Sequence, residues 1–230
     1  MKKLHILIIS LIILVATNNI YAQKKERSTL QLGAKISPNI SWLNPDATNF
    51  SSNGTKIKFS WGFIADFKFA EKYSFSTGFS INSTGGKIIH PDSTTTLGNG
   101  SLSRDITIRY VEFPLSVKMK TRQFGYFTFF GQVGLGLGMR LAARSDDTFS
   151  SAIGSAPTIK NDVKIEDQVE FFRLSMILAA GVEYSLGGST SLFGALSFNN
   201  GFTNVFNYNT PFTKADANSN TVDLSVGILF

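Results

Sequence analysis

The sequence predicts an all-β protein: an eight-stranded antiparallel up-and-down transmembrane β-barrel behind a cleaved N-terminal signal peptide. Three observations lead there. Residues 1–22 run from a basic start through a short apolar stretch to a small-residue site. Beyond them, apolar side chains alternate with small or polar ones, two residues per repeat, in eight segments. The connections between those segments run long, short, long, short, long, short, long. Barrels of the outer membrane have that rhythm, with an even strand number, short turns on one side and longer loops on the other.

In the leader, Lys2 and Lys3 precede an apolar run over 6–15 broken only by Ser10, and Tyr21, Ala22 and Gln23 close it. That order is a signal peptide, with cleavage expected after Ala22 and residues 23–230 left as the barrel domain. A membrane anchor would need about 20 apolar residues, more than this run supplies. The formal net charge of +6 includes Lys2 and Lys3 and is too mild to imply a nucleic-acid partner. The absence of cysteine excludes disulfides, thiolate nucleophiles and cysteine–metal sites.

The first strand is expected over 29–37, with Leu30, Leu32, Ala34 and Ile36 on one face. The second, 56–69, has the longest clean alternation: Ile57, Phe59, Trp61, Phe63, Ala65, Phe67 and Phe69. The third carries Tyr73, Phe75, Phe79 and Ile81 against Ser74, Ser76, Gly78 and Ser80. In the fourth, 104–119, the apolar parity changes after Tyr110, which predicts a β-bulge near Tyr110 and Val111. The fifth covers 126–141, with Gly134, Gly136 and Gly138 on its small face. The sixth runs from Phe172 to Tyr184, the seventh covers 191–199, and the eighth is the closing strand, 222–230. That closing strand resembles the last strand of bacterial outer-membrane barrels, whose terminal aromatic, here Phe230, serves as the assembly signal. Membrane lipid and the barrel-assembly machinery are the partners this implies.

A soluble barrel of lipocalin type is the rival. It would turn the serines and glycines toward water, where a charged surface is the norm and glycine weakens a strand. A membrane barrel turns them into a cramped interior and the large aromatics to lipid. Phe69, Tyr73, Tyr126, Phe127, Tyr184 and Phe230 would then form a girdle at one interface, unless they reflect only the β-propensity of aromatic residues.

Strand parity places Lys35, Lys58, Asp66, Lys68, Glu112, Lys118, Arg140, Arg173, Glu183 and Asp223 inside the barrel or at its rims. Charges confined there are expected to pair, because an unpaired one is costly. They form either an ion-conducting gate or a structural plug; an eight-stranded interior, normally filled by its own side chains, points to the plug. His90 is the one histidine after the leader, beside Pro91 and Asp92. With no G-x-S-x-G, H-E-x-x-H or phosphate-binding glycine loop, it is a weak basis for an enzyme. Asp146 with Asp147, and Asp162 with Glu166 and Asp167, are weak candidates for loose Ca²⁺ binding. No cofactor is expected.

The string Tyr110, Val111, Glu112, Phe113, Pro114, Leu115, Ser116, Val117, Lys118 resembles a signature of the PorT-like outer-membrane β-barrel family of Bacteroidota, matched at Tyr110, Glu112, Pro114, Leu115 and Lys118. The resemblance implies an outer-membrane barrel, and the order of long and short connections places both termini in the periplasm. Its namesake takes part in type IX secretion and surface motility. Pro114 cannot donate to a ladder, so a local widening of the wall is expected there. The first functional expectation is a structural or surface-interaction role, with a protein partner meeting the loops at 38–55, 88–104, 142–168 or 201–220. A secretion subunit, a narrow pore and a lipid-modifying enzyme centred on His90 follow in that order. Phe202, Phe206, Tyr208 and Phe212 in the last loop are either a contact site or a lid over the barrel mouth.

Overall fold

The computed structural model describes residues 29–47, 50–94, 98–210 and 213–230. The signal-peptide prediction for 1–22 lies outside the described residues. The strands are β1 (Leu30–Pro45), β2 (Ser51–Ser52), β3 (Lys56–Ala70), β4 (Tyr73–Thr94), β5 (Gly98–Lys120), β6 (Phe127–Ser151), β7 (Thr158–Lys164), β8 (Phe172–Gly187), β9 (Thr190–Gly201), β10 (Phe206–Thr210) and β11 (Thr213–Leu229). Eight of them close a ring of antiparallel neighbours in the order β1, β3, β4, β5, β6, β8, β9, β11, with β11 returning to β1. The eight segments legible in the sequence are those eight strands. β2, β7 and β10 pair onto the outer portions of β4, β6 and β11.

The wall is inside-out relative to a soluble barrel. Phe59, Trp61, Phe63, Phe67 and Phe69 of β3 are exposed, while Ser60, Asp66, Ser74, Ser76 and Ser80 are buried. Exposed rings continue around the ring on β4, β6 and β8, as a lipid-facing band requires. The soluble alternative fails on this ground. The girdle residues gather at the end with the short turns: Phe69 stacks on Tyr73 at 6.3 Å, and Tyr184 packs on Tyr126 and Phe127 at 5.8 and 5.2 Å.

At the opposite, tall end the structure corrects the predicted loops. Residues 38–55, 88–104, 142–168 and 201–220 are largely strand: β1 runs on to Pro45, β4 and β5 form a hairpin with ends at Thr94 and Gly98, β6 continues to Ser151, and β11 starts at Thr213. Their alternation was hidden because serine, threonine and asparagine dominate where no lipid demands an apolar outer face. Here the polarity of the wall inverts. Leu43, Ile88, Ile106, Ile108, Val205 and Phe206 are buried inside, and Arg109 and Arg144 face outward. The result is an apolar cap over a polar lumen.

That inversion also corrects the predicted bulge. β5 keeps one parity throughout: Ile106, Ile108, Tyr110, Glu112, Ser116 and Lys118 all point inward. The change after Tyr110 is a change of chemistry on a constant face. A register step does occur there, from Arg109↔Ala142 to Tyr110↔Arg140, but the extra residue is Leu141 of β6. β6 therefore switches parity: Gly134, Gly136 and Gly138 point inward below Leu141, and Ala143, Ser145, Asp147 and Phe149 above it.

Candidate functional site

The lumen holds two charged groupings. Near the short-turn end, Lys118 Nζ lies 2.9 Å from Asp66 Oδ2 and 2.9 Å from Glu183 Oε1. Ser76 Oγ donates to Asp66 Oδ1 at 2.6 Å, and Lys120 Nζ donates to Glu183 Oε2 at 2.8 Å and to Gln31 Oε1 at 3.2 Å. Lys118 also sits 4.3 Å from the centre of the Phe130 ring, a cation–π contact inside the wall. Two cations thus meet two carboxylates drawn from β3, β5 and β8.

Higher in the lumen, Arg173 of β8 reaches across to β5. Its Nη1 donates to Glu112 Oε2 at 3.0 Å, its Nε to Ser219 Oγ at 2.9 Å and its Nη2 to Asn199 Oδ1 at 3.3 Å. Asn199 Nδ2 closes the triangle by donating to Glu112 Oε1 at 3.3 Å. The small faces make this crossing fit. A Cβ on Gly136 would lie 2.7 Å from Ser175 Oγ and 3.1 Å from Glu112 Cδ, and one on Gly138 would lie 3.3 Å from Arg173 Cβ. Between the two groupings lies a cavity of about 70 Å³, lined in part by Lys35, Asp223, Gln132 and Ser225. It has room for a few waters at most.

Of the residues predicted inside, Lys35, Asp66, Glu112, Lys118, Arg173, Glu183 and Asp223 are there. Lys68 lines the open mouth at the short-turn end. Arg140 stands at the upper rim and donates to the carbonyls of Glu166 and Val169, bracing the connection into β8. Lys58 is not in the lumen: the end of β3 departs from β4 above Trp61, and Lys58 Nζ donates to Thr107 Oγ1 on the outward face of β5 at 2.6 Å. Lys120, Asn199 and Ser219 were missed. Lys120 shares the parity of Lys118 and Asn199 that of Ser197, so both were recoverable; Ser219 lay in a segment taken for a loop.

The matched string has a physical role. Tyr110 is fully buried at the ceiling, Glu112 holds Arg173, and Lys118 holds Asp66 and Glu183, while Leu115 faces outward. At Pro114 the β4–β5 ladder lapses between Ser80↔Glu112 and Ser76↔Ser116, with Gly78 opposite at φ 141°. Pro114 has no N–H to give, and the pairing on its other side, to Gly136, is intact.

Of the remaining candidates, His90 and Asp147 are absorbed by the cap, and Asp146 and Asp162 lie on its outer face. His90 is buried, stacked on Phe50 at 4.5 Å, with Nδ1 2.9 Å from the Pro91 carbonyl. It sits in β4, not in a loop. Asp147 takes the Arg104 guanidinium through both oxygens, and Arg104 Nη1 donates to Gln168 Oε1 at 2.6 Å. Asp146 accepts from the Asp162 backbone N–H, and Asp162 pairs with Arg144. Among the described residues no three potential metal-ligating side chains of this kind converge. Phe206 is buried in the cap, as a lid requires, whereas Phe202 is exposed. The side chains of Tyr208 and Phe212 lie outside the described part.

The profile of the outer membrane protein beta-barrel domain family matches residues 21–207. The chain belongs to that family. No curated protein matches it. Among solved structures, the outer-membrane protease OmpT from Escherichia coli is similar at 9% identity, with 91% of this chain and 98% of that one covered and a TM-score of 0.51. Neisserial surface protein A is similar at 12% identity, with 88% and 96% covered and a TM-score of 0.48. The attachment invasion locus protein Ail of Yersinia pestis follows at 13% identity, with 87% and 98% covered and a TM-score of 0.36. At such identities the likeness concerns the fold alone. Family and fold place the chain in the outer membrane.

Proposed function

We propose that this protein is a closed outer-membrane barrel that carries a β-structured head for contact outside the cell. The single observation behind this reading is that the lumen is filled twice: by the Glu112–Arg173–Asn199 crossing and by the apolar cap above it. A column so filled opposes ion passage, which favours the outer surface as the working part. The short-turn end with both chain ends is periplasmic in this reading, as is usual for such barrels, and residues 1–22 are the signal that delivers the chain.

Planar-bilayer recording tests the closure. Silence at neutral pH is expected, and reproducible single-channel steps would replace this reading with the narrow pore. A photo-reactive side chain at Ile153 or Ile159, both exposed on the head, is expected to form adducts on intact cells, whereas one at Tyr126 on the opposite end is not. In this reading His90, stacked on Phe50 inside the cap, is a packing residue rather than a catalytic one. A His90→Ala variant that keeps the head folded and leaves cellular behaviour unchanged is the matching expectation.

A second reading is a PorT-like secretion component, favoured by the match at Tyr110, Glu112, Pro114, Leu115 and Lys118. Deletion that leaves protein secretion and gliding intact would remove it.

A further inference from the structure

The departure of Lys58 from the lumen assembles a site at the outer surface. On the outward face of β5, apolar residues run from Met119 through Leu115 and Phe113 to Val111, and Arg109 is the first charge above them. On β6 the outward apolar run ends at Leu141, and Arg144 follows. Thr107 pairs with Arg144 across the β5–β6 ladder, and Lys58 of β3 donates to that same Thr107. Lys56, one repeat further on, forms an ion pair with Asp105. Arg109 and Lys56 both lie close enough to act on the charge of Lys58. β3, together with the β5–β6 hairpin, thus brings four cations to one patch along the upper edge of the lipid-facing band.

The charges are not balanced within the patch. Asp105 takes Lys56, Asp162 takes Arg144, and Asp146, opposite Asp105, also acts on Lys58, so four cations face three carboxylates. Among the described residues, Lys58 and Arg109 have no ion pair. Two like charges held together repel, and an anion placed between them reverses the sign of that interaction. Directly below stand Phe59 and Leu141, 51% and 55% exposed. A free anion would use only the upper half of this arrangement. A lipid, with charge above and hydrocarbon below, uses both.

We propose that Lys58 and Arg109, flanked by Arg144, bind the phosphate of an outer-leaflet membrane lipid whose acyl chains lie against Phe59 and Leu141. The guanidinium offers a planar fork to phosphate oxygens and the ammonium a point charge. From the proposed function this takes only the orientation of the barrel; it does not depend on the head having a protein partner. The lipid also anchors the end of β3, which has left its ladder with β4 above Trp61.

The test uses the full chain in phosphatidylcholine nanodiscs doped with bis-phosphorylated lipid A, read by native mass spectrometry. Retained lipid A is expected, with affinity falling about fivefold for each of Lys58→Gln and Arg109→Gln. Lys58→Arg keeps the charge and is expected to keep binding. Lys72→Gln with Arg122→Gln, at the opposite mouth, leaves it unchanged. Equal retention by Lys58→Gln/Arg109→Gln, equal retention of dephosphorylated lipid A, or full displacement by free pyrophosphate would each overturn the proposal. Nanodiscs carry lipid A in both leaflets, so binding there is independent of orientation and a failure here stays distinct from a failure of the proposed function.

Discussion

Lys118 touches two carboxylates and the face of Phe130 at once, and all four groups are buried in the lumen. Such charges add little net stability when all are present, yet stranding one is expensive. Glu112→Ala would leave Arg173 buried against Asn199 and Ser219 without its counter-charge. A loss of about 3–5 kcal/mol is expected, read as an earlier urea midpoint in refolding from detergent. Glu112→Leu with Arg173→Met removes both charges, and is expected to cost much less than the single variant.

His90 belongs to the same scale but to the cap, outside the membrane. Burial holds its imidazole below the usual 6.5, with Arg104 adding to that and the Pro91 carbonyl, Asp92 and Asp147 opposing it. The opened chain protonates near 6.5 while the closed cap resists, so the opened form binds more protons below that value. The cap keeps its full stability above 6.5 and loses it as the pH falls through and below that point. Proteolysis of the β4–β5 hairpin is therefore expected to speed up from about pH 7.5 to about 5.5, and a His90→Phe variant to lack the acid-induced change.

At the scale of the element, β6 is one strand with two opposite faces joined by one extra residue. Below Leu141 its small inward face admits Glu112, Tyr110 and Arg173; above it Asp147 reaches in to Arg104. Deleting Leu141 would take out the extra residue and make Arg140 and Ala142 consecutive, leaving Ala143 and Asp147 inward and Arg144 and Asp146 outward. The expected outcome is a head that still folds on the barrel, seen as unchanged resistance of both to protease. Gly136→Val tests the lower part: the new side chain meets Ser175 and Glu112, and an overpacking cost of about 1–3 kcal/mol is expected in the same refolding assay.

At the scale of the whole molecule, closure rests on one seam. β11 pairs with β9 on one side and with β1 on the other, and Phe230 completes it by exchanging backbone hydrogen bonds with Leu32 at 2.8 and 3.0 Å. The Phe230 side chain is more than half exposed, so it contributes little to internal packing. Removing Phe230 is expected to reduce insertion into the outer membrane severely while the strand's own pairing changes little. Normal insertion of the truncated chain, measured by surface-accessible heat-modifiable protein, would contradict the role given to this terminus.

The strands that cross the lipid were legible in the sequence because two solvents of opposite kind press on them: hydrocarbon selects Phe59, Trp61 and Phe63 outward, and a narrow lumen selects Gly134, Ser76 and Ser80 inward. The same alternation placed Asp66, Glu112, Lys118, Arg173 and Glu183 in the lumen. Above the membrane that pressure stops. Water lies outside, the cap lies inside, and Ile106 and Ile108 share a face with Glu112 and Lys118, which the alternation alone could present only as a change of phase. Which partners the charges chose, that Leu141 and not Tyr110 marks the register step, and that Lys58 leaves the lumen for Thr107 were decided by the tertiary structure. Each depends on how neighbouring strands slide and splay, and periodicity within one strand carries no record of its neighbour's register.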